Sequence, residues 1–159
     1  MPQTVLELNE SERRWIDAHL RVARSTIKAF APDHGQEITL RALDAAFGAW
    51  LAQHDPTKED PNPYINAFGV AFGQHFVDEL HFTWVLVQDE HGTQMAVHGA
   101  PGDQPGDVFV YPPNFVSKRY LIKTTDFFER TFQEMRGDIE HPPNAPAKKP
   151  GWKFWSKKR

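Results

Sequence analysis

Between Asn62 and Gly92 the chain changes its hydrophobic period once, and that change constrains the fold more than any other feature. Ile65, Phe68, Phe72, Phe76 and Leu80 recur at three- and four-residue steps, the buried face of a helix. From Phe82 the period becomes two: Phe82, Trp84 and Leu86 point one way, and Thr83, Val85 and Val87 the other. A strand apolar on both faces belongs inside a sheet. Asn62-Pro63 is the expected helix start, with asparagine as N-cap and proline at the first helical position, where its missing N–H costs nothing. Gly69 and Gly73 lie beside the apolar face, and each costs about 1 kcal/mol of helix propensity relative to alanine. Close approach of another backbone is the expected compensation. Asp89-Glu90-His91-Gly92 then reads as a turn, and Thr93 to His98 as a returning strand.

The flanking segments are organised to pack on this centre. Asn9 followed by Glu12 predicts a capping box, and Ile16, Leu20, Ala23, Ile27 and Phe30 form the stripe of a first helix ending before Pro32. Trp15 and His19 border that stripe. Thr39 is expected to cap a second helix with Leu40, Leu43, Phe47, Trp50 and Leu51 as its inner face, stopping near Gln53. After the loop Gly99 to Gly106, Val108 to Tyr111 reads as a third strand ended by Pro112-Pro113. Asn114 is placed to cap a short turn, and Thr125 a last helix with Phe128, Phe132 and Met135 inside. The expected fold class is α+β: N-terminal helices packed on one face of a small antiparallel three-stranded sheet, closed by a C-terminal helix. Residues 1–137 form the domain, and 138–159 a Pro-rich linker and basic-aromatic tail.

A chain of 159 residues suffices for one core without staples. Zero cysteines removes disulfides, thiol nucleophiles and Cys-based metal sites. With no basic-apolar leader and no run of about 18 apolar residues, a cytoplasmic location is expected. Charge is unevenly placed. Six of the 18 cations follow residue 147, where there is no acid, leaving 12 cations against 21 acids and a net −9 over residues 1–147. An acidic body argues against non-specific nucleic-acid binding.

The run Asn62-Pro63-Tyr64-Ile65-Asn66-Ala67-Phe68-Gly69-Val70-Ala71-Phe72-Gly73, then Trp84-Val85 with Asp89 and Gly92, Tyr111-Pro112, and Val116-Ser117-Lys118-Arg119 resembles the bacterial proteins grouped as domain of unknown function 3806. The resemblance covers roughly residues 40 to 122. It implies a small bacterial cytosolic domain and carries no activity with it.

Each candidate site competes with a plainer reading. Gly69-Val70-Ala71-Phe72-Gly73 lies within a helical period and lacks the Gly-Lys-Ser/Thr of a phosphate loop, so packing glycines are the better reading. His75, Asp78, His81, His91 and His98 invite a metal hypothesis, but no pair has His-x-x-x-His spacing, and neither metal nor cofactor is expected. Asp89, Glu90 and His91 place acids beside a base at a hairpin tip, a setting for partner contact or for general acid–base work; turn chemistry alone also selects them. No catalytic motif is recognisable. Lys118 and Arg119 are two cations in an acidic body, suited to internal pairing or to a partner. In the tail, Trp152, Lys153, Phe154, Trp155, Lys157, Lys158 and Arg159 interleave aromatics with cations; a simple solubilising tail is the plainest reading, followed by contact with an anionic membrane surface, then docking on the acidic body or a partner, with nucleic acid last.

Three functions are carried forward. The first is a non-catalytic protein-interaction domain, immunity-protein-like or regulatory, binding an unknown protein partner; the immunity comparison rests on size and charge alone. The second is a peripheral membrane adaptor attached through the tail to the inner face of the membrane. The third is an enzyme of unrecognised type at the hairpin tip. Oligomeric state stays open, with a homodimer compatible with the glycine spacing.

Overall fold

The computed structural model describes residues 3–35, 37–99 and 107–140. Along the chain come β1 (Thr4–Glu7), α1 (Glu10–Phe30), a 3-10 turn (Pro32–His34), α2 (Leu40–Gln53), α3 (Asn62–Leu80), β2 (Thr83–Asp89), β3 (Gly92–Gly99), β4 (Val108–Val110), α4 (Pro112–Ile122) and α5 (Phe128–Glu140). The class is α+β, with five helices and one antiparallel sheet in the order β1-β2-β3-β4. The sheet has four strands rather than the expected three. The extra strand is β1, which pairs Thr4 with Gln88 and Glu7 with Val85. All four of its residues are exposed, so no buried alternation marks it in the sequence. With β1 on one side and β3 on the other, β2 is interior, as its two apolar faces require.

Local signals set most helix ends. Asn9 Oδ1 accepts from the Glu12 N–H at 2.8 Å and Glu12 Oε1 accepts from the Asn9 N–H at 2.7 Å, the reciprocal capping box. Thr39 Oγ1 accepts from Ala42 N–H at 3.0 Å. The start of α3 differs from expectation. Asn62 is its first residue rather than its cap, and Asp60 Oδ1 accepts the Asn62 N–H at 3.0 Å. Pro61 already has helical angles, so the turn begins one residue earlier. His81 closes α3 in the left-handed conformation.

Three further expectations change after β4. Pro112-Pro113 opens a helix instead of only ending a strand, because the first turn needs no N–H from either proline. The segment after Asn114 is thus part of an 11-residue helix with no side-chain cap. Thr125 does not cap α5: the carboxylate of Asp44, on α2, accepts from the N–H groups of Phe128 and Glu129 at 2.8 and 3.2 Å. Burial raises the pKa of Asp44, opposed by these backbone hydrogen bonds. Finally, α5 runs through Gly137 to Glu140, beyond the domain limit read from composition.

The main core joins α1, α2, α3, α5 and the start of α4 through Ile27, Phe47, Phe68, Phe72, Phe115 and Phe128, all 1% exposed or less. Aromatic edges meet faces there, as between Phe47 and Phe68 at 5.2 Å. The glycines of α3 serve the seam with α4. A Cβ on Gly69 would lie 2.6 Å from Pro113 Cα, a backbone approach of the kind expected. At Gly73 the neighbour is a side chain, the Trp84 ring at 2.5 Å. Trp84 Nε1–H donates to Gln74 Oε1 at 3.0 Å and ties β2 to α3.

Candidate functional site

At the hairpin tip, Asp89 Oδ1 accepts from the His91 N–H at 2.8 Å, and Gly92 has φ 121°, which favours glycine. Turn geometry therefore accounts for the positions of Asp89 and Gly92, while Glu90 and His91 are exposed. Tyr111 lies within reach of the Asp89 charge; burial first, then that charge, push its phenol up to about 12.

Lys118 and Arg119 are in a different setting. The Arg119 guanidinium stacks 3.9 Å from the centre of the Phe115 ring, with Phe127 next to it at 5.9 Å. Burial, and then the charge of Arg130, lower its pKa. Lys118 is exposed. The two groups singled out in the sequence thus occupy separate elements, the β2–β3 turn and α4. Trp152, Lys153, Phe154, Trp155, Lys157, Lys158 and Arg159 lie outside the described residues.

The histidines are dispersed. His75 Nδ1 is 3.2 Å from the Ala71 carbonyl oxygen, and His98 stacks on Phe109 at 4.6 Å with Asp107 3.4 Å from its Nε2. Among the described residues, no three of His, Asp and Glu gather as metal ligands. His54 is packed against Trp50 at 4.7 Å, and neither His54 Nε2 nor Trp50 Nε1 has a hydrogen-bond partner among the described residues.

A cavity of about 440 Å³ lies where α1, α3, β2, β3 and α4 meet, and sequence reasoning missed it. Leu86 and Met95, cross-strand neighbours on β2 and β3, form its floor. Trp15 of α1 makes one wall, and Tyr111 and Pro113 the other. Asn66 and Asn114 line it with amide side chains, each able to donate and accept, while Gln94, opposite Val87 in register, borders it from β3 with its side chain on the other face of the sheet. Gln94 and Met95, two of its lining residues, lie on the stretch of β3 beyond β4: β4 pairs with Val97, His98 and Gly99 only, so among the described residues β3 has no strand neighbour on that side from Gly92 to Ala96. Trp15, read as bordering the core, was the one signal for it. The rest required knowing that α1 and α4 converge on the hairpin. A larger groove of about 650 Å³ runs between α1 and the loop before α3, with Glu59 and Asp60 on its rim.

Residues 49–125 match the family model described as Domain of unknown function (DUF3806). The match spans the last turn of α2 through α4. It contains Asn66, Leu86, Gln94, Met95, Tyr111, Pro113 and Asn114 of the cavity lining, whereas Trp15 comes from outside it. No curated protein matches the chain, and neither does any solved structure. Among the described residues no helix is long and apolar enough to cross a membrane.

Proposed function

We propose that this is a non-catalytic protein-interaction domain that takes an extended segment of a protein partner along the open edge of β3 and seats one apolar side chain in the adjoining cavity. The observation that carries it is the juxtaposition of apolar Leu86 and Met95 with the amides of Asn66 and Asn114 and a strand edge that has no neighbour among the described residues. A strand edge offers backbone hydrogen bonds for affinity, and a neighbouring pocket reads a side chain for specificity. The charges at Asp89, Glu90 and His91, on the same hairpin, would meet the rim of such a partner and influence association rate more than final affinity. Lys118 and Arg119 belong to a second contact area on α4. A cytoplasmic location and a bacterial source go with this reading.

The test compares full-length chain with Met95→Arg, which fills the cavity with a charge, and with Arg24→Ala on the exposed side of α1 as control. Proteins co-purified by the parent and by Arg24→Ala but lost with Met95→Arg are expected. The same capture by all three, with all three folded by circular dichroism, overturns the reading.

A second reading, peripheral membrane attachment, is favoured by one observation. Leu121 and Ile122 at the end of α4 are 73% and 71% exposed, beside Lys118 and Lys123. Apolar groups flanked by cations suit an anionic lipid surface. Co-sedimentation with phosphatidylserine vesicles at low salt, weakened by Leu121→Ser with Ile122→Ser, is its expected outcome; no co-sedimentation removes it.

A further inference from the structure

A strand added to the edge of β3 places its residue opposite Met95 on Met95's own face of the sheet, because directly opposed residues share a face. On that face Trp15, Leu86 and Met95 pack around Leu8, Ile16 and Val70. The two neighbours of the added residue turn away, to the face of Gln94 and Val87. One side chain of an extended partner therefore enters the cavity, and Met95 fixes which one.

The lining it meets is of two kinds. Trp15, whose ring packs against His19 with 4.0 Å between centroids, makes one wall, and Tyr111, 5% exposed, lies in the other. Two restrained aromatic rings favour a third ring over an aliphatic chain, through offset or edge-to-face contact. The rest of the lining is polar. Asn66, Gly69 and Gly73 recur at three- and four-residue steps along α3, so the close approach of Gly69 to Pro113 also brings Asn66 beside the start of α4, where Asn114 stands. Among the described residues neither amide side chain makes a hydrogen bond. A purely apolar occupant would take water from both and return nothing. The charge in the lining is Glu12, committed to the capping box of α1, and it disfavours an anionic occupant.

We propose that the cavity takes a tyrosine of the partner, with its ring between Trp15 and Tyr111 over Leu86 and Met95 and its hydroxyl hydrogen-bonded to the amides of Asn66 and Asn114. A phenol hydroxyl donates and accepts, as each amide does, whereas an indole N–H only donates. This rests on strand addition at β3 and names the residue that such addition delivers.

The test titrates the full-length chain with acetyl-Thr-Thr-Tyr-Thr-Thr-amide, and with the same peptide carrying Phe, Leu or Glu at its centre, while NMR follows the backbone amide signals of β3 and α4. The Tyr peptide is expected to bind roughly tenfold or more tightly than the Phe and Leu peptides, because a site built to hydrogen-bond a hydroxyl discriminates against the analogue lacking it. The Glu peptide is expected to give no shifts. Asn66→Leu combined with Asn114→Leu should bring the Tyr and Phe peptides to about equal affinity while the Phe peptide still binds, a change that general damage to the fold would not produce. Equal binding of the Tyr, Phe and Leu peptides in the parent, with shifts along Gly92 to Ala96, overturns the tyrosine assignment and leaves strand addition standing. A Tyr preference that survives the double replacement overturns it as well. Binding by none of the peptides also overturns it, and capture with Met95→Arg then tells whether strand addition falls too.

Discussion

The two faces of the sheet are built from the same strands and are solved differently. The helix side is packed from elements close to the hairpin in the chain: α3 precedes β2 directly, and Gly73 lets the Trp84 ring lie against it. Its tolerance is small because the contact is glycine to ring, and at Gly69 glycine to backbone. The other face shows a plain β-branched and aromatic surface, Val85, Val87 and Phe109, without any such fitted contact to a helix. One side is specified by close shape, the other by hydrophobicity alone, and the two should respond differently to substitution.

The sharpest break in that comparison is Gly69→Ala. Helix propensity favours it by about 1 kcal/mol, but the new methyl meets the Pro113 backbone, which cannot rotate away. A net loss of about 3 kcal/mol in urea unfolding is expected, and a stabilised variant would show that the α3–α4 seam yields. On the other face, Val87→Ala removes two methyl groups from a buried site and should cost about 2 kcal/mol.

Asp44→Ala, on the helix side, removes the acceptor for two N–H groups of α5 and should cost about 1 kcal/mol. Asp44→Asn keeps an acceptor and should recover part of the loss, read from thermal unfolding. The smallest effect concerns Tyr111, which packs with Val85, Val87 and Phe109. Unfolded, its phenol ionises near pH 10, whereas folded it holds its proton up to about 12. The folded state therefore binds more protons across that window, and stability falls as pH rises from 10 to 12. Tyr111→Phe should remove this part of the decline, measured as the difference in unfolding midpoint between parent and variant at each pH.

Much of the fold can be read from short stretches. The Asn9–Glu12 box, the Thr39 cap, the inner faces of α1, α2, α3 and α5, and the switch of period at Phe82 all depend on residues within a few positions of each other. The glycines of α3 announced a close neighbour without naming it. The cavity could not be read in the same way, because Trp15, Asn66, Met95 and Asn114 acquire a common role only when α1, α3, β3 and α4 converge. The hairpin acids were legible as a turn, which Asp89 and Gly92 close, whereas nothing in the spacing of Lys118 and Arg119 indicates that Arg119 stacks on Phe115.

By itself the sequence determined where α1 and α2 begin, which faces are apolar, and that β2 must be interior, because these follow from backbone hydrogen bonds and side-chain periods acting over a turn or two. The tertiary structure alone decided that Thr4–Glu7 is a strand, that Asp44 caps a helix 84 residues away, and that a pocket lies where α1, α3, β2, β3 and α4 meet. Each of these depends on a partner distant in the chain. An exposed four-residue segment becomes a strand only beside β2, and a carboxylate becomes a cap only when α5 points its free N–H groups at it.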